Sequence, residues 1–205
     1  MGTDIQGFVE CRMTFGMPWA DDEEWSTAVD LGLLYDARSY DAFGCLFGIR
    51  NHANFEPLAP FRGMPEDVAE ATRAAWDPEA HGETWISWTE LAAVDWDEPA
   101  GDVDGRIHEY RRAEDGRWTY HGKAGWSREF ARVAGLPDRP DVGYGGVRWP
   151  EGTEWQDGDV SYRVERMRRR DAVPPDGSWA PVWAVMRTFA GLHGGDNVRL
   201  VVWFD

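Results

Sequence analysis

The sequence has few of the residues that build disulfides and metal sites. It contains only two cysteines, Cys11 and Cys45, and five histidines among 205 residues. Two cysteines cannot make a disulfide framework, and with scattered histidines they do not supply the ligand set of a standard zinc site. We therefore expect no disulfide, no metal and no cofactor, and a reducing, cytoplasmic location.

Long apolar runs and phosphate-binding glycine motifs are also missing. No apolar stretch approaches the roughly 20 residues of a membrane span, and no basic segment followed by an apolar block opens the chain. Neither a P-loop nor a GxGxxG pattern is present. These absences predict no membrane association and no secretory signal, and they remove the usual signatures of nucleotide cofactors.

Positive charge is scarce. Acidic residues number 37 and basic residues 21, which gives a formal net charge of −16, and Lys123 is the only lysine. A surface that follows a nucleic-acid backbone needs the opposite balance, so we expect no broad nucleic-acid binding. Such acidity serves solubility in most proteins, and in others it favours docking onto a basic protein partner.

Aromatic and aliphatic residues, in contrast, are abundant enough for a substantial core. Hydrophobic residues make up 42% of the chain, with 13 Trp, 9 Phe and 6 Tyr. The length fits a single domain over residues 1–205. Hairpin signals and separated helices predict the α+β class, with a mostly antiparallel or mixed central sheet, four to five helices and two hairpins. Residues 99–174 are expected to form a hairpin-rich insertion.

Both ends of the chain are predicted to be strands of the central sheet. Residues from Thr3 to Met13 alternate between two faces, which is the period of a strand with one covered face. Residues from Val198 to Phe204 are almost continuously apolar, which is typical of a strand covered on both faces. We therefore expect the two strands to lie in one sheet, with the C-terminal strand in its interior.

Capping and turn residues predict the remaining elements. Asp-Gly pairs at Asp115-Gly116 and Asp157-Gly158 indicate two hairpins with type I′ turns, and Asp21–Glu24 is expected to be an acidic loop. Helices are predicted to run from Ser39 to Asn51, from Pro65 to Trp76, from a capping box at Ser87, from Ser127 to Ala134, and from Trp179 to His193.

Several short motifs resemble one family of uncharacterised proteins found in tailed-phage and actinobacterial genomes. That family opens MGxDIH, continues with RNYDLF, RGLPxD and HSHSW, and closes WFDN. The matching segments here are Met-Gly-Thr-Asp-Ile-Gln with Glu10, Arg38-Ser-Tyr-Asp-Ala-Phe, Arg50-Asn51, Phe55-Glu-Pro, Arg62-Gly-Met-Pro-Glu-Asp, His81-Gly-Glu-Thr-Trp and the terminal Val-Trp-Phe-Asp.

The resemblance covers residues 1–95 and 198–205, and it implies an intracellular, often phage-borne, α+β protein without a settled activity. Gln6 stands where the family has His, Ser39 replaces Asn, and Glu83 replaces the second His of HSHSW. If the family used those histidines as ligands or bases, this chain has lost two of them. The departures argue against a metal role here.

Polar residues on the N-terminal strand are candidates for chemistry. Asp4, Gln6 and Glu10 share one strand face, because residues two apart point the same way. Two carboxylates on one face suit an acid–base pair or a hard-cation site, particularly where burial separates their pKa values. The alternative is an ordinary solvent-facing side of a strand.

A second candidate set lies in the segments that carry the family resemblance. His81 and Thr84, in an expected loop before an aromatic run, suit a base and a nucleophile. Arg38, Arg50 and Arg62 suit a clamp for a phosphate or carboxylate. The alternatives are a histidine that caps the next element and arginines that pair with the abundant acids.

These candidates lead to two hypotheses of function. The first is a small cytoplasmic enzyme or ligand-binding protein that acts on a phosphorylated or nucleotide-like small molecule. Its catalytic residues would be Asp4, Glu10 and His81, gathered in one pocket, with ligand contacts from Gln6, Arg38, Arg50, Arg62 and Thr84. The second is an acidic, non-enzymatic binding protein, such as an immunity factor or phage-encoded inhibitor, that covers a basic partner.

The many tryptophans allow two interpretations. They could line an aromatic pocket, as in proteins that stack carbohydrates, or they could fill the core. Trp183 and Trp203 lie at periodic positions of a predicted helix and a predicted strand. Core packing is therefore the interpretation that the sequence favours for them.

Overall fold

The computed structural model describes residues 2–14, 24–141, 143 and 147–205. Apart from Glu24, the acidic loop expected at Asp21–Glu24 lies outside these residues. The described chain is an α+β protein with two antiparallel sheets of four strands each. The α+β class predicted from the sequence is therefore confirmed.

The first sheet has the strand order β2-β1-β8-β3, and the second sheet has the order β5-β4-β7-β6. The strands are β1 (Ile5–Arg12), β2 (Trp25–Asp30), β3 (His81–Ser87), β4 (Ile107–Arg112), β5 (Trp118–Ala124), β6 (Glu154–Asp157), β7 (Val160–Arg163) and β8 (Val198–Phe204).

Six α-helices and two short 3-10 helices lie within the described residues. The 3-10 helices are Leu31–Leu33 and Gly195–Asn197. No helix in the described part of the chain is long and apolar enough to cross a membrane. The α-helices are α1 (Tyr40–Phe47), α2 (Glu70–Ala75), α3 (Trp88–Ala92), α4 (Arg128–Val133), α5 (Arg169–Ala172) and α6 (Ala180–His193).

The two terminal strands pair with each other at the centre of the first sheet, as predicted. β8 runs antiparallel to β1 on one side and to β3 on the other, and all seven of its residues are buried. Its side chains alternate between a main core that contains α1 and α6 and an opposite face that carries Arg199, Val201 and Trp203. Burial on both faces explains the nearly continuous apolar sequence of this strand.

The second sheet is built from the two predicted hairpins, but their turns differ from the prediction. Among the described residues of both turns only the glycines have positive φ, +81° at Gly116 and +60° at Gly158. A type I′ turn needs positive φ at both central residues, so the predicted turn type is wrong. At the first hairpin the Asp115 carboxylate accepts the Arg117 N–H at 3.0 Å, which favours a longer loop.

Tertiary contacts also change where two predicted elements begin. The helix predicted from Pro65 begins only at Glu70, because the Glu10 carboxylate accepts the N–H of Ala69 at 3.0 Å and ties the preceding segment to the sheet. His81 opens strand β3 instead of lying in a loop. The predicted capping box at Ser87 is present, with both reciprocal hydrogen bonds to Glu90.

Candidate functional site

Asp4 is exposed, lies directly before β1 and forms an ion pair with Arg38. The Arg38 Nε donates to Asp4 Oδ1 at 2.6 Å, and the backbone N–H of Asp4 donates to the Asp205 carboxylate at 2.9 Å. Arg50 lies near the same end, where its Nε donates to the Thr3 hydroxyl at 3.2 Å. At this end of the sheet Asp4 and Arg38 therefore neutralise each other, whereas Arg50 contacts a neutral hydroxyl.

Glu10 lies towards the other end of β1 and has no exposed surface. Its Oε2 accepts from Arg199 Nε at 2.8 Å, and its Oε1 accepts from the Ala69 N–H. The Arg199 guanidinium lies 3.8 Å from the Trp25 ring centroid and also donates to Asp67 at 2.7 Å. All polar atoms of the Glu10 carboxylate therefore have partners that fix the fold.

The structure does not bring Asp4, Glu10 and His81 into one pocket. In β8 the partner of Glu10 is Arg199, whereas His81 and Ile5 both lie beside Phe204. Six residues of strand place Asp4 and Glu10 roughly 20 Å apart. The single-pocket hypothesis is wrong because shared strand periodicity establishes a common face but not proximity, and His81 accompanies Asp4 only.

The other predicted ligand residues also have partners within the chain. The Thr84 hydroxyl is buried and donates to the Ala59 carbonyl at 2.6 Å, and Gln6 accepts from the Trp203 indole N–H at 3.3 Å. Arg62 pairs with Glu90 at 2.8 Å and lies 5.2 Å from the Trp85 ring centroid. Roles for these residues in catalysis or ligand binding remain predictions.

A groove of about 560 Å³ lies above Glu10 and contains Arg62. Arg199 stacks on Trp25, and Arg62 stacks on Trp85, so that the cations and the indole rings alternate across the sheet. Each of these two arginines also has a carboxylate partner. The arrangement is typical of a stabilising stack of cations and aromatic rings whose charges are already neutralised.

A larger cleft, of about 820 Å³, lies between α3 and α6. One wall is a stripe on α6 formed by Ala180, Trp183, Ala184 and Arg187, spaced i, i+3, i+4 and i+7 so that they share one face of the helix. The small alanines leave room beside the Trp183 ring. The other residues of the lining are Trp88, Leu91, Ala92, Val94, Trp96, Arg170, Val173 and Pro175.

Trp183 is fixed in place by the core beneath it. Its ring stacks on that of Trp179, with centroids 5.1 Å apart and an interplanar angle of 16°. Trp179 is buried, and the opposite stripe of α6, with Val182 and Met186, packs into the main core. The aromatic wall of the cleft therefore rests on a rigid support.

The charge of the cleft is opposite to that of the whole molecule. Among the described residues that line it there are two arginines and no Asp or Glu. Arg170 pairs with Asp97 at the rim. Arg187 is exposed, its guanidinium lies 5.8 Å from the Trp88 ring centroid, and it has no ion pair among the described residues. The cleft thus combines indole rings with an available guanidinium.

A third group of polar residues is buried where the second sheet meets α1. The Lys123 ammonium lies 2.9 Å from Asp41 of α1 and 3.0 Å from Asp104, and Arg106 pairs with the same two carboxylates. The His108 ring lies between Asp104, at 3.1 Å, and a further carboxylate. Desolvation opposes ionisation of Asp104, but its hydrogen bonds and the adjacent cations lower its pKa well below the usual range.

The hydroxyl of Tyr110 closes this buried cluster on one side. It donates to Glu165 at 2.9 Å, and desolvation together with this carboxylate raises the pKa of Tyr110 to about 12. The Glu165 carboxylate also contacts the His108 ring at 3.2 Å. Strongly shifted groups occur both in active sites and in structural ion networks, and the full pairing here is typical of the second.

Sequence reasoning missed the residues of the cleft. Trp88 and Trp96 come from one segment and Trp183 from another, and core packing was the favoured interpretation for Trp183. The spacing of Trp183 and Arg187 on one helix face, between small alanines, was the signal that the sequence did contain.

No protein-family model, no curated protein and no solved structure matches this chain.

Proposed function

We propose that this protein binds a small aromatic anion, phosphorylated or nucleotide-like, in the cleft between α3 and α6. The observation that carries the proposal is the reversal of charge: the chain has a formal net charge of −16, yet the described lining of the cleft holds two arginines and no acid. The volume, about 820 Å³, lies in the range of small-molecule sites.

Stacking provides the first part of the recognition. Trp88, Trp96 and Trp183 present indole rings to the cleft, and such rings bind flat aromatic groups such as nucleobases. Stacking of a base on an aromatic side chain contributes about 1–3 kcal/mol. A ligand with one flat ring system therefore gains affinity here without any base-specific hydrogen bond.

Charge provides the second part. A guanidinium donates paired hydrogen bonds to a phosphate or carboxylate, and such charge-assisted bonds are stronger than neutral ones. No described carboxylate pairs with Arg187, whereas Arg170 already shares its charge with Asp97. We therefore assign the anionic group of the ligand to the Arg187 end of the cleft.

The proposal is one of binding and names no reaction, because none of Asp4, Glu10 and His81 lines the cleft. We place the protein in the cytoplasm, a location that suits two buried free cysteines, Cys11 and Cys45. The resemblance to phage and actinobacterial proteins, and the alternative of an acidic protein that covers a basic partner, remain predictions.

Thermal shift with adenosine 5′-monophosphate, adenosine and phenyl phosphate tests the proposal. A ligand at about one hundred times its Kd stabilises the folded state by about 2.7 kcal/mol, which raises the Tm of a chain of this size by about 5–10 °C. We expect this rise with the two anions and a smaller one with adenosine.

Arg187→Gln is the diagnostic variant. It should raise the Kd of the two anions about tenfold or more, because a charge-assisted hydrogen bond is lost. The Kd of adenosine should stay unchanged. Arg117→Gln, at an exposed position in the β4–β5 turn, is the matched control and should behave as the wild type. If no aromatic anion raises the Tm, or if Arg187→Gln has no effect on the anions, the proposal fails and the basic-partner alternative becomes the better hypothesis.

A further inference from the structure

The charges of the buried cluster between the second sheet and α1 depend on the protonation state of one residue, His108. Two carboxylates, Asp41 and Asp104, pair with the two cations Arg106 and Lys123. A third carboxylate, Glu165, contacts the His108 ring and lies near Arg163, whose charge is already paired with Glu154. The His108 ring lies between two of these carboxylates. The charges of the cluster therefore balance only when His108 carries a proton.

The cluster joins parts of the chain that are distant in sequence. Asp41 belongs to α1 of the main core, whereas His108 and Lys123 belong to β4 and β5 of the second sheet. The Asp104 carboxylate has no exposed surface, and the His108 and Lys123 side chains are 6% and 9% exposed, whereas Asp41 and Glu165 are 22% and 33% exposed at the edges of the cluster. An unbalanced charge in such a place is poorly solvated and weakens the contact that holds it.

We propose that this cluster is a one-proton clamp, which holds the second sheet against α1 while His108 is protonated and loosens the junction when that proton is lost. The clamp acts on the junction between the second sheet and α1 and is independent of any ligand in the cleft. The charged and titratable groups that surround His108 are Asp41, Asp104, Arg106, Tyr110, Tyr120, Lys123, Arg163 and Glu165.

The direction of the pH effect follows from the contacts. Desolvation on its own would lower the pKa of His108, but the hydrogen bonds with Asp104 and Glu165 outweigh it and raise the pKa above its ordinary value. A group with a raised pKa stabilises the folded state fully below its unfolded pKa, about 6.5 for His. That stabilisation is lost as the pH rises through the folded pKa.

Hydrogen exchange of the intact protein tests the clamp. Protection factors, corrected for the intrinsic pH dependence of exchange, are measured at about pH 6 and about pH 9 for the amides of β4, β5 and β7, with β1 and β8 as the internal reference. We expect protection in the second sheet to fall by about tenfold or more relative to the reference at the higher pH. Equal ratios at both values would overturn the proposal.

Variants separate charge balance from simple damage. His108→Gln removes the proton and should give low relative protection at both pH values. His108→Gln combined with Glu165→Gln restores the balance and should give high protection at both. His121→Gln, an exposed histidine on β5, is the control and should follow the wild type. A double variant whose relative protection is as low as that of the single variant would contradict the clamp. If the single variant does not fold, the pH series of the wild type still tests the proposal.

Discussion

Glu10 is a carboxylate with no exposed surface, and its energetic role follows from that burial. It accepts hydrogen bonds from Arg199 and from the Ala69 backbone, so removing it leaves a buried cation and a buried N–H short of partners. Breaking a buried ion pair from one side is costlier than breaking an exposed one. At the scale of the residue, Glu10 is therefore expected to stabilise the first sheet.

We predict that Glu10→Ala lowers the free energy of unfolding by about 3 kcal/mol, the cost of leaving one member of a buried ion pair behind. Urea-induced unfolding of the wild type and the variant measures this difference.

Asp4→Ala is the matched control on the same strand. Asp4 and Arg38 are both about half exposed, so water replaces their ion pair, and the free energy of unfolding should stay nearly unchanged. Similar losses in the two variants would show that burial does not distinguish these carboxylates.

At the scale of the element, the first sheet depends on a close approach between β1 and β8. Gly7 has φ +154°, and a Cβ at this position would lie 2.1 Å from the Val201 carbonyl oxygen. Only glycine fits there without a shift of the backbone of the central strand. The pairing that unites the two ends of the chain therefore depends on one residue without a side chain.

We predict that Gly7→Ala destabilises the protein by about 1–3 kcal/mol, the usual cost of overpacking. The control is Gly122→Ala on β5, where an added Cβ meets no heavy atom within 4 Å. Chemical denaturation of both variants checks the difference, and a Gly7→Ala protein as stable as Gly122→Ala would refute the close approach.

Local signals predicted the elements whose ends are decided locally. The capping box at Ser87, the two hairpins and the apolar run of β8 follow from patterns within a few residues. The late start of α2 and the inclusion of His81 in a strand could not be predicted, because Glu10 and β8 decide them from far along the chain. β2 was missed although Trp25, Thr27 and Val29 alternate.

At the scale of the whole molecule, the candidate site could not be assembled from the sequence. The strand pattern predicted β1, but the distance between Asp4 and Glu10 depends on the length of the strand. The cleft is lined from segments near residues 88–96, 170–175 and 180–187, which meet only after the core has formed. The sequence predicted core packing for Trp183, and the spacing of Trp183 and Arg187 on one face of α6 was the signal that remained unused.

Binding of an aromatic anion between α3 and α6 can be followed directly through the indole N–H signals of the protein. Because the tryptophans in the described part of the chain are spread over the fold, their ¹H–¹⁵N signals, assigned by single Trp→Phe variants, locate a ligand. On titration with adenosine 5′-monophosphate, the signals of Trp88, Trp96 and Trp183 should move together and saturate, whereas those of Trp25 and Trp203 should stay in place. Shifts confined to Trp25 and other residues of the groove above Glu10, or no shifts at all, would contradict the claim.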